Sequence, residues 1–146
     1  MSSIPHRPKI GTELIAIAVN APSDCTTLRS SLETRGYIVF QKRGLKDVAD
    51  MVRNATATAV LISETVSFEH SSAICRTVRR ISQVIPIIIL HRGLDLEQRL
   101  ELFAAGADHC AQLPVPVDTI LTTIQVVSRH FCRISDVLRL PGATGA

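Results

Sequence analysis

The sequence has no tryptophan, one tyrosine and four phenylalanines in 146 residues. Its aromatic residues, Tyr37, Phe40, Phe68, Phe103 and Phe131, are too few and too dispersed for nucleic-acid binding by base stacking. Long apolar runs are also missing. The longest, Val84 to Leu90, contains Pro86 and falls far short of the ~18 residues a membrane helix needs. No apolar stretch follows the basic residues of Met1 to Lys9, so no secretory signal is read there and a cytoplasmic location is expected. The four cysteines, Cys25, Cys75, Cys110 and Cys132, form no CxxC pair, and reduced, partly buried thiols are expected. The five histidines are scattered. His109 and Cys110 are adjacent, but neighbours on a strand point to opposite faces, so no metal site is expected. A net charge of +3 is too small to imply a polyanion partner.

What is present is an ordinary globular composition, 46% hydrophobic and 20% charged. Short apolar runs occur at Leu14–Val19, Tyr37–Phe40, Ala57–Ile62, Val84–Leu90 and, more weakly, Cys110–Leu113. The first, third and fourth are nearly continuous Ile, Leu, Val and Ala, as parallel strands read when helices cover both faces. Helical patterns alternate with them. One opens at Ser23, carries Leu28 and Leu32, and stops at Gly36. A second carries Leu45, Val48, Val52 and Ala55, and a third Ile74, Val78 and Ile81. The fourth starts on an Asp95/Gln98 capping box, presents Leu96, Leu100 and Phe103, and ends at Gly106. The fifth spans about Val117 to His130, with Ile120, Ile124 and Val127 inward. The pattern predicts an α/β domain of the (βα)5 doubly wound type with right-handed crossovers. Residues 1–12 read as a flexible segment, 13–131 as the domain, and 132–146 as a linker toward a further, output domain.

Function in such sheets collects at the carboxyl ends of the strands. These are Val19-Asn20, Ile62-Ser63, Leu90-His91 and Leu113-Pro114. No GxGxxG, GxxxxGK[ST] or G-x-S-x-G motif stands there, so dinucleotide binding, P-loop chemistry and α/β-hydrolase chemistry lose their usual signals. No cofactor and no catalytic residue are expected.

Pro86-Ile-Ile-Ile-Leu90, Leu102-Phe-Ala-Ala-Gly-Ala-Asp108, Pro114 and Gly36-Tyr37 agree in register with one pattern. Over about residues 13–130 the chain resembles the receiver domain of bacterial two-component response regulators. The resemblance implies a flavodoxin- or CheY-like sheet of five parallel strands in the order 2-1-3-4-5, and a cis Leu113–Pro114 bond. It also implies a site for phosphoryl transfer. That site takes an acidic pair after the first strand to hold Mg²⁺, an Asp ending the third, a Thr or Ser ending the fourth, and a Lys before the proline. The matching positions here are Val19 and Asn20, Ser63, His91 and Leu113. An aromatic of the fifth strand is replaced by Cys110. Val19 offers Mg²⁺ no oxygen and Asn20 one neutral oxygen. Phosphoryl transfer rests on positioning and charge stabilisation, and each charged part is lost.

The expectation is a degenerate receiver that works without phosphorylation, as a regulatory interaction or dimerisation module of a signalling or transcription regulator. The partner face would lie on the fourth helix, fifth strand and fifth helix, around Leu96, Leu100, Cys110, Val126, Val127 and Phe131. DNA would be reached only through an output domain. The alternatives are a stand-alone adaptor for a kinase or other regulator, a small-ligand sensor, and the N-terminal domain of an RNA-binding antiterminator. At the pocket itself, Glu64 could stand in for a phosphorylated Asp if the third strand ended one residue later, and His91 and His70 could approach its mouth. Arg76, Arg79 and Arg80 read as a solvated basic face of the third helix.

Overall fold

A computed structural model describes the backbone of residues 14–20, 25–54 and 57–139, and side chains as far as residue 128. The elements alternate along the chain: β1 (Leu14–Ala18), α1 (Thr26–Thr34), β2 (Ile38–Lys42), α2 (Leu45–Arg53), β3 (Ala59–Ile62), α3 (Phe68–Ile81), β4 (Ile87–His91), α4 (Leu96–Ala105), β5 (His109–Gln112) and α5 (Val117–Arg139). The five strands are parallel and ordered β2-β1-β3-β4-β5. The expected fold class and strand order are both found.

The strand period of two separates the two faces of the sheet. Ala18, Val60, Ile62, Ile87 and Ile89 meet Val48 and Val52 of α2, Ile74 and Val78 of α3, and Leu102 and Ala105 of α4. Ile15, Ile17, Val39, Leu61, Ile88 and Leu90 meet Leu32 of α1 and Ile120 of α5. Leu45, Leu28, Ile124 and Ile81 are only partly buried at the margins of these layers. α1 begins on Cys25 in a left-handed conformation, and the expected start at Ser23 lies outside the described residues, as do Ala55 and the segment 1–12. Asp95 and Gln98 form the capping box as read from sequence. The Leu113–Pro114 bond is cis.

Several boundaries differ from the sequence reading, each for a local reason. β4 begins at Ile87, not Val84, because Ser82 Oγ accepts from the amides of Val84 and Ile85 and holds them in a turn. Arg79 donates to the carbonyls of Ser82 and Ile85, so this turn also has its acceptors engaged. β5 is displaced one residue toward the N-terminus and β2 continues to Lys42. α5 runs to Arg139, past the expected end near His130. No Pro or Gly interrupts Val117 to Arg139, so no breaker stands in its way.

Arg79 corrects the reading of α3 as a solvated basic face. Its guanidinium is turned inward and meets Asp108 Oδ2 at 2.6 Å, with the two side chains only 16% and 14% exposed. The same oxygen accepts from the Ile87 amide at 2.8 Å. Gly106, at φ +128°, lets the chain pass over this pair; a Cβ there would lie 2.3 Å from Arg79 Cγ. The Gly-Ala-Asp sequence is thus the fastening between the end of α3 and the start of β4.

Candidate functional site at the carboxyl edge of the sheet

The sheet brings the sequence-selected positions to one edge. Val19 directly follows β1, Ser63 directly follows β3, His91 ends β4, and Leu113 directly follows β5. Backbone bonds hold them in register: Val19 N donates to Lys42 O at 2.9 Å, Ser63 N to Ala18 O at 2.9 Å, and Leu113 N to His91 O at 2.7 Å. Val19 is buried with the α1/α5 layer, and Leu113 packs against that layer. Asn20 is exposed.

Ser63 is buried at 2% exposure, and its hydroxyl is engaged locally. Ser63 Oγ lies 3.0 Å from Thr65 Oγ1 and accepts from the Thr65 amide at 3.2 Å. Ser63 O also accepts from the Val66 amide at 3.1 Å. The strand end is thereby folded into a side-chain-supported turn. Glu64, next along that turn, reaches across to Arg92 of the β4–α4 connection, with Oε1 2.6 Å from Nε. Its carboxylate is balanced by a guanidinium.

His91 is 6% exposed, and its Nδ1 accepts from the Leu94 amide at 3.2 Å. The ring proton therefore sits on Nε2. Burial, then Arg99, then His109 push the imidazole below its ordinary 6.5, which favours its uncharged form. His70 lies in the first turn of α3, where its amide donates to the Ser67 cap.

Mg²⁺ takes oxygen ligands in near-octahedral geometry, usually with carboxylates among them. The strand ends present an isopropyl group, one neutral amide and a hydroxyl already engaged in a turn. The residues present do not fit the ion. An ammonium is likewise replaced by the Leu113 side chain.

The proposed partner-face residues divide. Leu96 and Leu100 stand 61% and 57% exposed on α4, with Phe103 on the same stripe at 42%. The inward residues of that helix are Leu102 and Ala105. On α5, Val126 is exposed and Val127 half-buried, while Phe131 lies outside the described side chains. Cys110 packs into the α2–α4 layer rather than outward. Cys75 and Cys110 are free thiols, and burial pushes that of Cys75 up to about 12. Neither the inward Arg79 nor the Glu64–Arg92 pair follows from local pattern. Only the acid at 108 and the base at 79, far apart in the chain, hinted at the first.

Comparison with known proteins places this geometry. No family model matches the sequence. The response regulator MprA of Mycobacterium sp. (strain KMS) is 24% identical over 104 residues, covering 71% of this chain and 45% of that protein. The match thus spans about half the length of that curated relative. A CheY-like response regulator receiver domain protein from Methanospirillum hungatei JF-1 superposes with a TM-score of 0.69 at 17% identity, covering 81% of this chain and 94% of that one. A beryllofluoride-activated NtrC4 receiver domain dimer superposes with a TM-score of 0.69 at 14% identity, over 81% and 98% of the two chains. In strand order, helix placement and extent, this chain has the CheY-like fold of response-regulator receiver domains.

Proposed function

We propose that this domain is a non-enzymatic regulatory module that signals by binding a partner, without phosphoryl transfer at its strand ends. One observation carries the reading: the edge that would hold Mg²⁺ and an acyl phosphate presents Val19, Asn20, a turn-bound Ser63 and Leu113 instead of carboxylates and an ammonium. A phosphorylated Ser63 would meet no cation from Leu113, and its hydroxyl is spent on Thr65. The Glu64 carboxylate is spent on Arg92, so it presents no free charge in place of a phosphoryl group.

The partner is a second copy or another protein, docking on the outer face of α4 and the adjoining part of α5. The Leu96, Leu100 and Phe103 stripe supports this, since exposed apolar side chains at helical spacing mark interaction surfaces. Similarity to the receiver domain dimer fits the same reading. The module would serve a cytoplasmic signal-transduction or transcription regulator, with DNA reached only through a separate output domain.

The test is incubation with acetyl phosphate, or with beryllofluoride, plus Mg²⁺, followed by intact mass and amide chemical shifts. An unchanged mass and unmoved signals at Val19, Ser63 and His91 are expected. A stoichiometric phosphoryl gain, or shifts at those three residues, overturns the proposal.

A further inference from the structure

On the α3/α4 side of Ser63 and His91 lies a cavity of about 220 Å³. One side of it is apolar, built by Val66, Phe68, Ile89, Leu94 and Leu102 of the α2–α4 layer, and the other carries Ser63, Ser71 and His91. Glu64 and Arg92 stand at its solvent side, paired with each other. An apolar cavity of about 150 Å³ is enough to hold benzene. This one is large enough for a single ring with a small substituent.

Three buried polar side chains line the same space, and Ser63 already has its hydroxyl on Thr65. His91, 6% exposed, spends Nδ1 on the Leu94 amide, and the described residues offer its Nε2 hydrogen no acceptor. Ser71, 3% exposed, has its amide bonded to Ser67 O, while its hydroxyl has no side-chain or backbone partner among the described residues. Buried donors are normally paired, and an unpaired one is costly. A donor held on a rigid strand end inside apolar walls is the arrangement by which small-molecule sites fix orientation.

Charge narrows the class of molecule. Glu64 and Arg92, the two charged side chains of the lining, are paired with each other, so a ligand meets no lone charge from the cavity wall. An ionic ligand would leave water without compensation. A neutral one with an acceptor would satisfy His91 and bury its remaining surface on the apolar walls.

We propose that the cavity between the β3–α3 and β4–α4 connections binds a small neutral ring compound with one hydrogen-bond acceptor, such as a ketone, amide or lactone. The acceptor takes the His91 Nε2 hydrogen, and the Ser71 hydroxyl offers a second contact. Such a site stands whether or not the strand ends accept a phosphoryl group.

Acetophenone and isopropylbenzene provide matched probes, alike in shape but with and without a carbonyl acceptor. Each is titrated into the 146-residue chain while methyl and amide signals are followed by NMR. Saturable shifts confined to Val66, Ile89, Leu94 and Leu102 are expected with acetophenone, and isopropylbenzene should bind about tenfold more weakly. His91→Phe should bring acetophenone down to the level of isopropylbenzene, whereas His91→Gln, which keeps an N–H donor, should preserve the preference. If His91→Phe fails to fold, Ser71→Ala and Ile89→Phe keep the test open. The first should weaken acetophenone selectively, and the second should fill the cavity and abolish both. No saturable shift, equal affinity for the two probes, or shifts mapping to another surface overturns the proposal. The phosphoryl test reads mass and signals at other residues, so the two failures are distinguishable.

Discussion

Asp108→Ala removes the fastening between α3 and β4. Asp108 Oδ2 accepts from Arg79 Nη2 at 2.6 Å and from the Ile87 amide at 2.8 Å, and both bonds go. Breaking a fully buried pair by deleting one partner costs about 3–5 kcal/mol. The side chains here keep 16% and 14% exposure, and Arg79 retains the carbonyls of Ser82 and Ile85. The expected loss is therefore smaller, about 2–3 kcal/mol. In a domain of this size that lowers Tm by about 6–12 °C. Urea unfolding measures it, with the m-value unchanged. The sharper test adds Arg79→Met, which keeps the apolar stem and deletes the charge. Without Asp108 the buried guanidinium keeps its two carbonyls but no counter-charge, and that uncompensated charge is worse than none, so the double variant should be more stable than Asp108→Ala alone. A loss under about 0.5 kcal/mol for Asp108→Ala, or a double variant less stable than that single one, would refute the reasoning.

Further predictions rest on other parts of the fold. Gly106→Ala puts a Cβ 2.3 Å from Arg79 Cγ at φ +128°, and calorimetry should show about 2 kcal/mol or more of destabilisation; an unchanged Tm would contradict this account of the junction. The imidazole of His91 is held below its ordinary 6.5, so the unfolded chain binds that proton first. Stability contributed by the neutral ring is present above about 6.5 and lost as pH falls through and below it, and His91→Gln should flatten that slope in pH-dependent urea melts. Parallel slopes would show that His91 is not the titrating group. Leu100→Lys, on the outer face of α4, should leave stability within about 0.5 kcal/mol while reducing self-association in sedimentation equilibrium. A wild-type chain that stays monomeric throughout would remove the second-copy form of the interface.

The fold was legible because its signals are local. Ile, Leu and Val runs mark strands covered on both faces, and the Asp95/Gln98 box and Gly106 punctuate α4 within a few residues. The candidate site was legible in its composition: Val19, Asn20, Ser63, His91 and Leu113 do come to one edge. What escaped depends on partners distant in the chain. Nothing around Arg79 tells that its guanidinium turns inward; the cause is Asp108, on the far side of β4 and α4. Val84 and Ile85 have strand character, yet the Ser82 hydroxyl takes their amides into a turn. Glu64 reads as a loop acid until Arg92 is placed opposite it. The stripe of α4 is apolar by pattern, but pattern cannot tell which side faces the sheet, and Leu102 rather than Leu100 is buried there.

α4 is one helix thick between the interior and solvent, and an α-helix with its side chains is only about 10–12 Å across. Leu102 lines the cavity on one side, while Leu96, Leu100 and Phe103 stand on the other. Molecules meeting the two sides would share a single rigid wall, and their binding free energies would be thermodynamically linked. If a cavity ligand changes affinity at the outer face by some factor, occupation of that face must change affinity in the cavity by the same factor. Reciprocity of this kind is measurable from either side, and it makes α4 a point at which an internal ligand and an external protein can compete or cooperate without touching.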